Sequence, residues 1–392
     1  MTVTAPSGFR AAGVAAGIKR TGALDLALVV NDGPQRHAAG LFTTNKIQAA
    51  PVLWSRQVLT TGRLRAVVLN SGGANACTGA QGFQTTHATA EKAAEVLGCG
   101  AAEVAVCSTG LIGAQLPREL VLKGVEAAAK KLSDTGQSAT EAATAVLTTD
   151  TRPKQAAYRD EAGWRIGGFA KGAGMVAPAM ATMLAVLSTD ASVDPVELDR
   201  ALRTVSARTF ERLDIDGSTS TNDTVLLLAS GASGVSVTAA ELTAALTTIC
   251  TNLVDQLQAD AEGVTKHVTI VVRGAVSERD ALAVARAVAR NSLVKTAFFG
   301  ADPNWGRIAM AIGNSEATID QHRLEIGMNG VTLCRDGAAV STGAAVDPGP
   351  VVDLTGRDIL VEIDLHVGPG QAEIRTTDLS HAYVEENSAY PS

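Results

Sequence analysis

Residues 167–184 read Gly-Gly-Phe-Ala-Lys-Gly-Ala-Gly-Met-Val-Ala-Pro-Ala-Met-Ala-Thr-Met-Leu. Three features coincide there. A strand runs into a glycine-rich bend carrying one lysine, Lys171, and small residues then lead to Thr182 at the head of an apolar run. A threonine hydroxyl can attack a carbonyl only when a base takes its proton. On residue type alone, Thr182 is most simply a β-branched strand residue.

Other candidate chemistries fail on context. Gly172-Ala-Gly174-Met-Val-Ala177 fits a dinucleotide fingerprint, with Asp194 about twenty residues on. Pro178 and the β-type run 182–189 follow it, so no helix N-terminus would meet a pyrophosphate. There is no Walker sequence and no G-x-S-x-G elbow. The six histidines (37, 87, 267, 322, 366, 381) never fall at i, i+3 or i, i+4, so no helical metal site is expected. Asp214-Ile-Asp-Gly217 begins like a calcium loop, but the glycine comes too early and Val225 sits where a bidentate Glu should be.

The elements that would position Lys171 and Thr182 are an alternation of strands and helices. Strand-like runs fall at 24–30, 65–70, 103–107, 182–189, 224–230, 267–273, 359–367 and 372–377. Helices are expected at 85–97, stopped by Gly98, and at 117–132, opened by Pro117. Asp194-Pro195-Val196-Glu197 opens another. Thr238 and Glu241 form a capping box for a helix running to about Asp260, and Ser277 caps one through Asn291. Asp134–Thr140, Arg159–Gly163 and Gly343–Pro350 read as polar connections. The pattern predicts an α/β fold of layered, mixed sheets flanked by helices, with strands of hairpin-like spacing near the C-terminus.

At 392 residues the chain is too long for one ordinary core. Its charge of 33 − 40 = −7, with no long basic run, excludes the electrostatic footprint of a nucleic-acid or membrane-surface binder. Aromatics are 3%, so Ala, Val, Leu and Ile must fill the core and base-stacking platforms are not expected. Five cysteines without a C-x-x-C suggest reduced thiols. Residues 1–17 carry no export signal, and no apolar run approaches a membrane span. A cytoplasmic protein is expected.

The segment around Ala181-Thr182 resembles the self-cleavage site of the ornithine acetyltransferase family, also called bifunctional glutamate N-acetyltransferase/ornithine acetyltransferase, or ArgJ. Further matching stretches run the length of the chain: Asn70–Gly79, Cys107–Gly113, Thr148–Lys154, Asp214–Asp223, Asp260–Gly263, Asp302–Arg307 and Ala382–Tyr390. The resemblance implies an N-terminal-nucleophile-like, self-processing fold, also seen in DmpA-type proteins. An autocatalytic cut would give an α chain of 1–181 and a β chain of 182–392, the latter holding a smaller subdomain from about 275. It also implies an α2β2 heterotetramer.

The implied chemistry is coherent. Cutting before Thr182 frees an α-amine, whose pKa near 8 suits a base for its own hydroxyl. Thr182 would take the acetyl group of N2-acetyl-L-ornithine as an ester and pass it to L-glutamate by a ping-pong route. Thr109 and Gly110 match the family's oxyanion pair. Thr149, Lys171, Thr182, Glu262, Asn387 and the terminal Ser392 match substrate contacts. Lys171 suits the substrate's α-carboxylate or the tuning of the Thr182 amine. Glu262, placed with Asp260 at a helix C-terminus where the dipole disfavours negative charge, suits a substrate ammonium. No cofactor or metal is expected; acetyl-CoA would be a co-substrate in the bifunctional case. An amidase or aminopeptidase on the same scaffold would share the nucleophile, and a non-enzymatic ligand binder would leave the chain uncut. Asp302–Arg307 receives no chemistry.

Overall fold

Apolar runs long enough to be buried on both faces set the architecture of the first part of the chain. In the computed structural model, which describes residues 2–177, 183–341 and 349–389, the chain divides into two units. Of the described residues, the first comprises those up to 211 together with 218–260, and the second comprises 212–217 and those from 261 to 389.

The strands of the first unit are β1 (Phe9–Val14), β2 (Leu26–Asn31), β3 (His37–Phe42), β4 (Ala66–Asn70), β5 (Val104–Ser108), β6 (Lys154–Arg159), β7 (Arg165–Lys171), β8 (Leu184–Thr189) and β9 (Thr224–Ala229). Its helices are α1 (Ala50–Val58), α2 (Gly79–Leu97), α3 (Arg118–Lys131), α4 (Gly136–Ala145), α5 (Pro195–Ser206) and α6 (Ala239–Ala259). One sheet has the order β1-β2-β4-β5 and the other β3-β9-β8-β7-β6. Alternate residues face opposite ways along each strand. Ala27 and Val29 of β2 therefore join Leu184, Val186, Leu226 and Leu228 in the core between the sheets. Leu26, Leu28 and Val30 turn instead toward Ala90 and Ala93 of α2 and Val121 and Val125 of α3. Helices α5 and α6 cover the second sheet.

Parallel pairing of β8 with β9 sets Leu184 beside Thr224. Antiparallel pairing of β7 with β8 sets Lys171 opposite Leu184. The residues just before β8 and β9 and at the end of β7 thus converge at one sheet end.

The second unit carries β10 (His267–Ala275), β11 (Glu325–Met328), β12 (Val331–Arg335), β13 (Ala338–Ala339), β14 (Asp358–Asp364), β15 (Gly370–Thr377) and helices α7 (Glu278–Ala289), α8 (Ser292–Phe299), α9 (Trp305–Gly313) and α10 (His381–Ala389). Val268, Ile270 and Val272 of β10 pack with Val284 and Val288 of α7 and Ile308 and Ile312 of α9. The expected subdomain start near 275 falls at the end of β10, a strand wholly inside this unit.

Three expectations need correction. The strands near 359–367 and 372–377 do not pair with each other; β10 lies between them, parallel to β14 and antiparallel to β15. The connection passes over the end of β10 at glycines, where a Cβ on Gly368 would meet Ala275 O at 2.6 Å and one on Gly370 would meet Ser277 C at 2.3 Å. Residues 134–140 are not a loop throughout. Thr135 caps α4 through its hydroxyl on the Ser138 N–H, and Ala139, Ala142 and Ala143 are buried beneath it. Helix α2 begins at Gly79, six residues before the expected Thr85. The caps at Asp194, Thr238 and Ser277 form as expected. The connection expected at Gly343–Pro350 lies largely outside the described residues.

Candidate active site

Lys171 ends β7 with only 1% of its surface exposed. An ammonium removed from water needs acceptors and a counter-charge. Its Nζ donates to Thr148 Oγ1 at 2.8 Å and Thr109 Oγ1 at 3.4 Å, and Asp150 Oδ2 lies 3.6 Å away. Asp150 is shared. Its Oδ1 accepts from Lys154 Nζ and, at 2.7 Å, from the Gly172 N–H. Lys154, fully buried in β6, also pairs with Asp260 at the end of α6. Asp260 in turn accepts from the Thr151 N–H at 3.0 Å and from the Thr151 hydroxyl.

Two carboxylates and two ammonium groups balance in this buried chain of charge. Burial alone would raise the Asp150 pKa, but Lys171 and Lys154 overcome it and hold the carboxyl well below the usual carboxylate range. Burial draws the Lys171 ammonium below its ordinary value, with Asp150 opposing. Thr149 lies half-buried between Thr148 and Asp150, two partners of Lys171.

Thr109 follows β5 at the sheet edge. Its N–H donates to Asn70 O at 2.9 Å and its carbonyl accepts from Gly73 N–H at 3.0 Å. Gly110 has φ 127°, and a Cβ there would sit 2.6 Å from Gly73 N, so the turn requires glycine. Among the described residues the Gly110 N–H has no acceptor. The Asn70 amide holds the loop from one side, donating to Gly73 O at 3.1 Å and accepting from the Ser108 hydroxyl at 2.6 Å. Asn222 holds it from the other, its Nδ2 donating to Ser108 O at 2.8 Å and Ala74 O at 2.6 Å.

Asp223, next to Asn222, is buried at the head of β9. Its Oδ1 accepts the Met183 N–H at 3.2 Å, which ties down the residue just before β8. Its Oδ2 is buried and makes no hydrogen bond of good geometry among the described residues. Burial raises this carboxyl well above the usual range, offset only in part by the Met183 N–H and by Ser220.

The structure brings Thr109, Gly110 and Lys171, together with the neighbours of Thr149, to one corner of the first unit. Ala181 and Thr182, the expected junction, lie outside the described residues, as does Ser392. In the second unit, Asn387 Nδ2 donates to Glu262 Oε2 at 2.9 Å and to Tyr383 O at 2.9 Å. Glu262 does not stand at the helix end, contrary to the expectation that it meets the helix dipole there. The residue at the helix end is Asp260, whose charge Lys154 neutralises, and Glu262 stands beyond it in a turn. Asp150, Lys154, Asp260, Asn222 and Asp223 were not selected from the sequence. Each lies inside a stretch that carries the resemblance, and the four charged ones are residue types that are rarely buried unpaired. No group of three His, Cys, Asp or Glu able to hold a metal exists among the described residues, and no helix there could cross a membrane.

Residues 10–392 match the family model described as the ArgJ family. The chain is 58% identical over 395 residues to the arginine biosynthesis bifunctional protein ArgJ of Mycolicibacterium paratuberculosis, covering 100% of this chain and 96% of that protein. It is 54% identical over 392 residues to the protein of the same name in Streptomyces coelicolor, covering 100% of both. It is also similar to a solved structure of ornithine acetyltransferase complexed with ornithine from Mycobacterium tuberculosis. That match has 61% identity and a TM-score of 0.45, and covers 45% of this chain and 94% of that one.

Proposed function

Since the chain belongs to the ArgJ family, we propose that it is a cytoplasmic enzyme of arginine biosynthesis that cuts itself between Ala181 and Thr182. It then uses Thr182 to move an acetyl group from N2-acetyl-L-ornithine to L-glutamate. The observation that carries this reading is the link from Lys171 Nζ to Thr109 Oγ1 at the sheet end where β8 begins. A hydroxyl that accepts from an ammonium keeps its own proton free to donate. That is what an oxyanion donor must do.

In the first step Thr182 Oγ attacks the Ala181 carbonyl, and the Ala181–Thr182 C–N bond breaks, freeing the Thr182 α-amine as the acyl group passes to Oγ. Water then hydrolyses that ester to give the Ala181 carboxylate and the Thr182 hydroxyl. That amine takes the Oγ proton as Oγ attacks the acetyl carbonyl. Thr109 and the Gly110 N–H receive the negative charge that develops on oxygen. The C–N bond breaks, the proton passes to the leaving nitrogen, and ornithine departs. The glutamate amine then attacks the threonyl ester and returns the proton to Oγ. Lys171 supplies a contact for the substrate's α-carboxylate and Glu262 one for its ammonium, with Thr149, Asn387 and the Ser392 carboxylate as further substrate contacts. The two fragments remain associated, as an α2β2 assembly, and acetyl-CoA serves as a second acetyl donor.

The test is to incubate the protein with N2-acetylornithine, with and without glutamate, and to quantify ornithine and N-acetylglutamate. The proposal expects both products in equal amounts only when glutamate is present, and none from Thr182→Ala. Ornithine release independent of glutamate would make water the acceptor and the enzyme an amidase. Replacing acetylornithine by acetyl-CoA tests the second donor.

A further inference from the structure

Asp223 is a buried carboxyl without a cation in contact with it among the described residues. Its Oδ1 accepts the Met183 N–H at 3.2 Å; its Oδ2 makes no hydrogen bond of good geometry among the described residues, although the Ser220 hydroxyl and N–H stand close enough to offset part of the cost of burial. Buried carboxyl oxygens are normally satisfied, so an unpaired one asks what partner is missing. Covalent geometry supplies a candidate. Met183 N is three bonds from the backbone nitrogen of Thr182, which places the two nitrogens within about 4 Å of each other in any conformation. In an uncut chain that nitrogen is a neutral amide. After a cut it becomes an amine that can carry charge.

We infer that Asp223 is a positioning residue for the amine of Thr182, accepting a hydrogen bond from it on Oδ2 once the chain is cut. The inference rests on the proposed self-cleavage. Asp223 exchanges no atoms in the transfer. The proton moves from Thr182 Oγ to the amine and on to the leaving nitrogen, while the carboxylate orients the amine and stabilises the ammonium that forms in between. Its neighbour Asn222 holds the Ser108 and Ala74 carbonyls. One dipeptide therefore fixes both the loop bearing Thr109 and Gly110 and the start of β8.

The other charged or titratable groups around this corner are Lys171 at the end of β7, Asp150 and Lys154 on and before β6, Asp260 after α6, the Cys107 thiol of β5, and Lys19, whose Nζ donates to Leu147 O at 2.7 Å and whose charge acts on Lys171 and Asp150. Asp150 stays ionised well below neutrality. Burial pushes Cys107 up to about 12. Lys171, although drawn down, loses its proton as pH rises and so bears on the alkaline side. The acid limb of the rate profile belongs to the amine paired with Asp223, whose own carboxyl burial raises well above the usual range. A carboxylate beside an ammonium raises its pKa, so removing the carboxylate lowers it.

The experiment measures intact mass and the pH dependence of kcat/KM for acetyl transfer in the wild type, Asp223→Asn and Asp223→Glu. An uncut or inactive wild type would sink the proposed function itself, independently of Asp223. With a cut, active wild type, Asp223→Asn is expected to be cut, because its amide oxygen still accepts the Met183 N–H. Its acid limb should move to lower pH by about one unit or more, and kcat should fall on the order of ten- to a hundredfold from lost orientation. Asp223→Glu should return the limb toward the wild-type position. An acid limb that stays put in a cut Asp223→Asn enzyme overturns the inference. A folded but uncut Asp223→Asn also overturns it, by moving the residue's role to the cut. Should Asp223→Asn not fold, Asp223→Glu decides: a limb at the wild-type position supports the inference, and one displaced downward contradicts it.

Discussion

Each unit buries lysines, and the two sets are used differently. In the second unit, Lys266 Nζ donates to three backbone carbonyls, Leu354 at 2.8 Å, Thr355 at 2.9 Å and Gly356 at 2.7 Å. Lys295 donates to Thr376 Oγ1 at 3.1 Å and to Thr377 O, with burial drawing its pKa down to about 8. These ammonium groups fasten chain to chain. In the first unit, Lys171 gives its donors to two side-chain hydroxyls, one of them Thr109, and balances its charge on a carboxylate that Lys154 shares. A lysine saturated by backbone carbonyls has finished its work when the fold forms. One that holds hydroxyls beside a glycine turn whose N–H has no acceptor among the described residues suits the proposed oxyanion site.

The sharpest way to break that contrast is Lys154→Met. It leaves Asp150 and Asp260 with less positive charge in the same buried corner. Loss of one partner from a buried ion pair costs about 3–5 kcal/mol, so chemical denaturation should show a loss of that order, and acetyl transfer should fail with it. A variant as stable as the wild type would mean the cluster is not the electrostatic keystone of this corner. Thr109→Ala separates chemistry from stability. Transfer should slow by about a hundredfold, as for removal of one oxyanion donor, with the unfolding midpoint little changed; an unaltered rate would take Thr109 out of the site. Lys266→Met supplies the control from the other unit. Leaving three carbonyls without their donor should cost about 1–3 kcal/mol while the kcat of the cut enzyme is retained. A large fall in kcat there would erase the distinction between the two sets.

The smallest expected effect is in pH. The folded-state pKa of Asp150 is depressed, so its contribution is fully present above the unfolded value near 3.8 and is lost as pH falls toward the lower folded value. Acid unfolding of the wild type should therefore steepen below about pH 4. Asp150→Asn should lack that component, and an identical acid profile for the two would place the stabilisation elsewhere.

Local signals were the most legible part of the sequence. The caps at Asp194, Thr238 and Ser277 use interactions between residues two or three apart, and all of them form. Helix α4 was hidden because Asp134–Thr140 is polar at its start, while the alanines that bury it come later and have no strong periodicity of their own. The place of β10 between β14 and β15 was hidden for a different reason. Strand spacing suggests a hairpin, but pairing is decided by a partner about 90 to 110 residues earlier in the chain. The candidate site shows the same division. Thr109, Gly110 and Lys171 were named through resemblance and are found together. Asp150 and Asp260 lie far apart in the chain, and only folding reveals that Lys154 bridges them. Asp223 looked like one more polar residue of a Ser/Thr-rich stretch until its unpaired oxygen and its bond to Met183 were visible.

The central claim is that Thr182 becomes a chain terminus, and intact mass under denaturing conditions tests it most directly. A cut after Ala181 divides 392 residues into 181 and 211, about 18.5 and 21.6 kDa of the 40.1 kDa chain. Two such species, the larger beginning with threonine, are the predicted result. A single 40.1 kDa species in a preparation that nonetheless transfers acetyl groups would contradict the account.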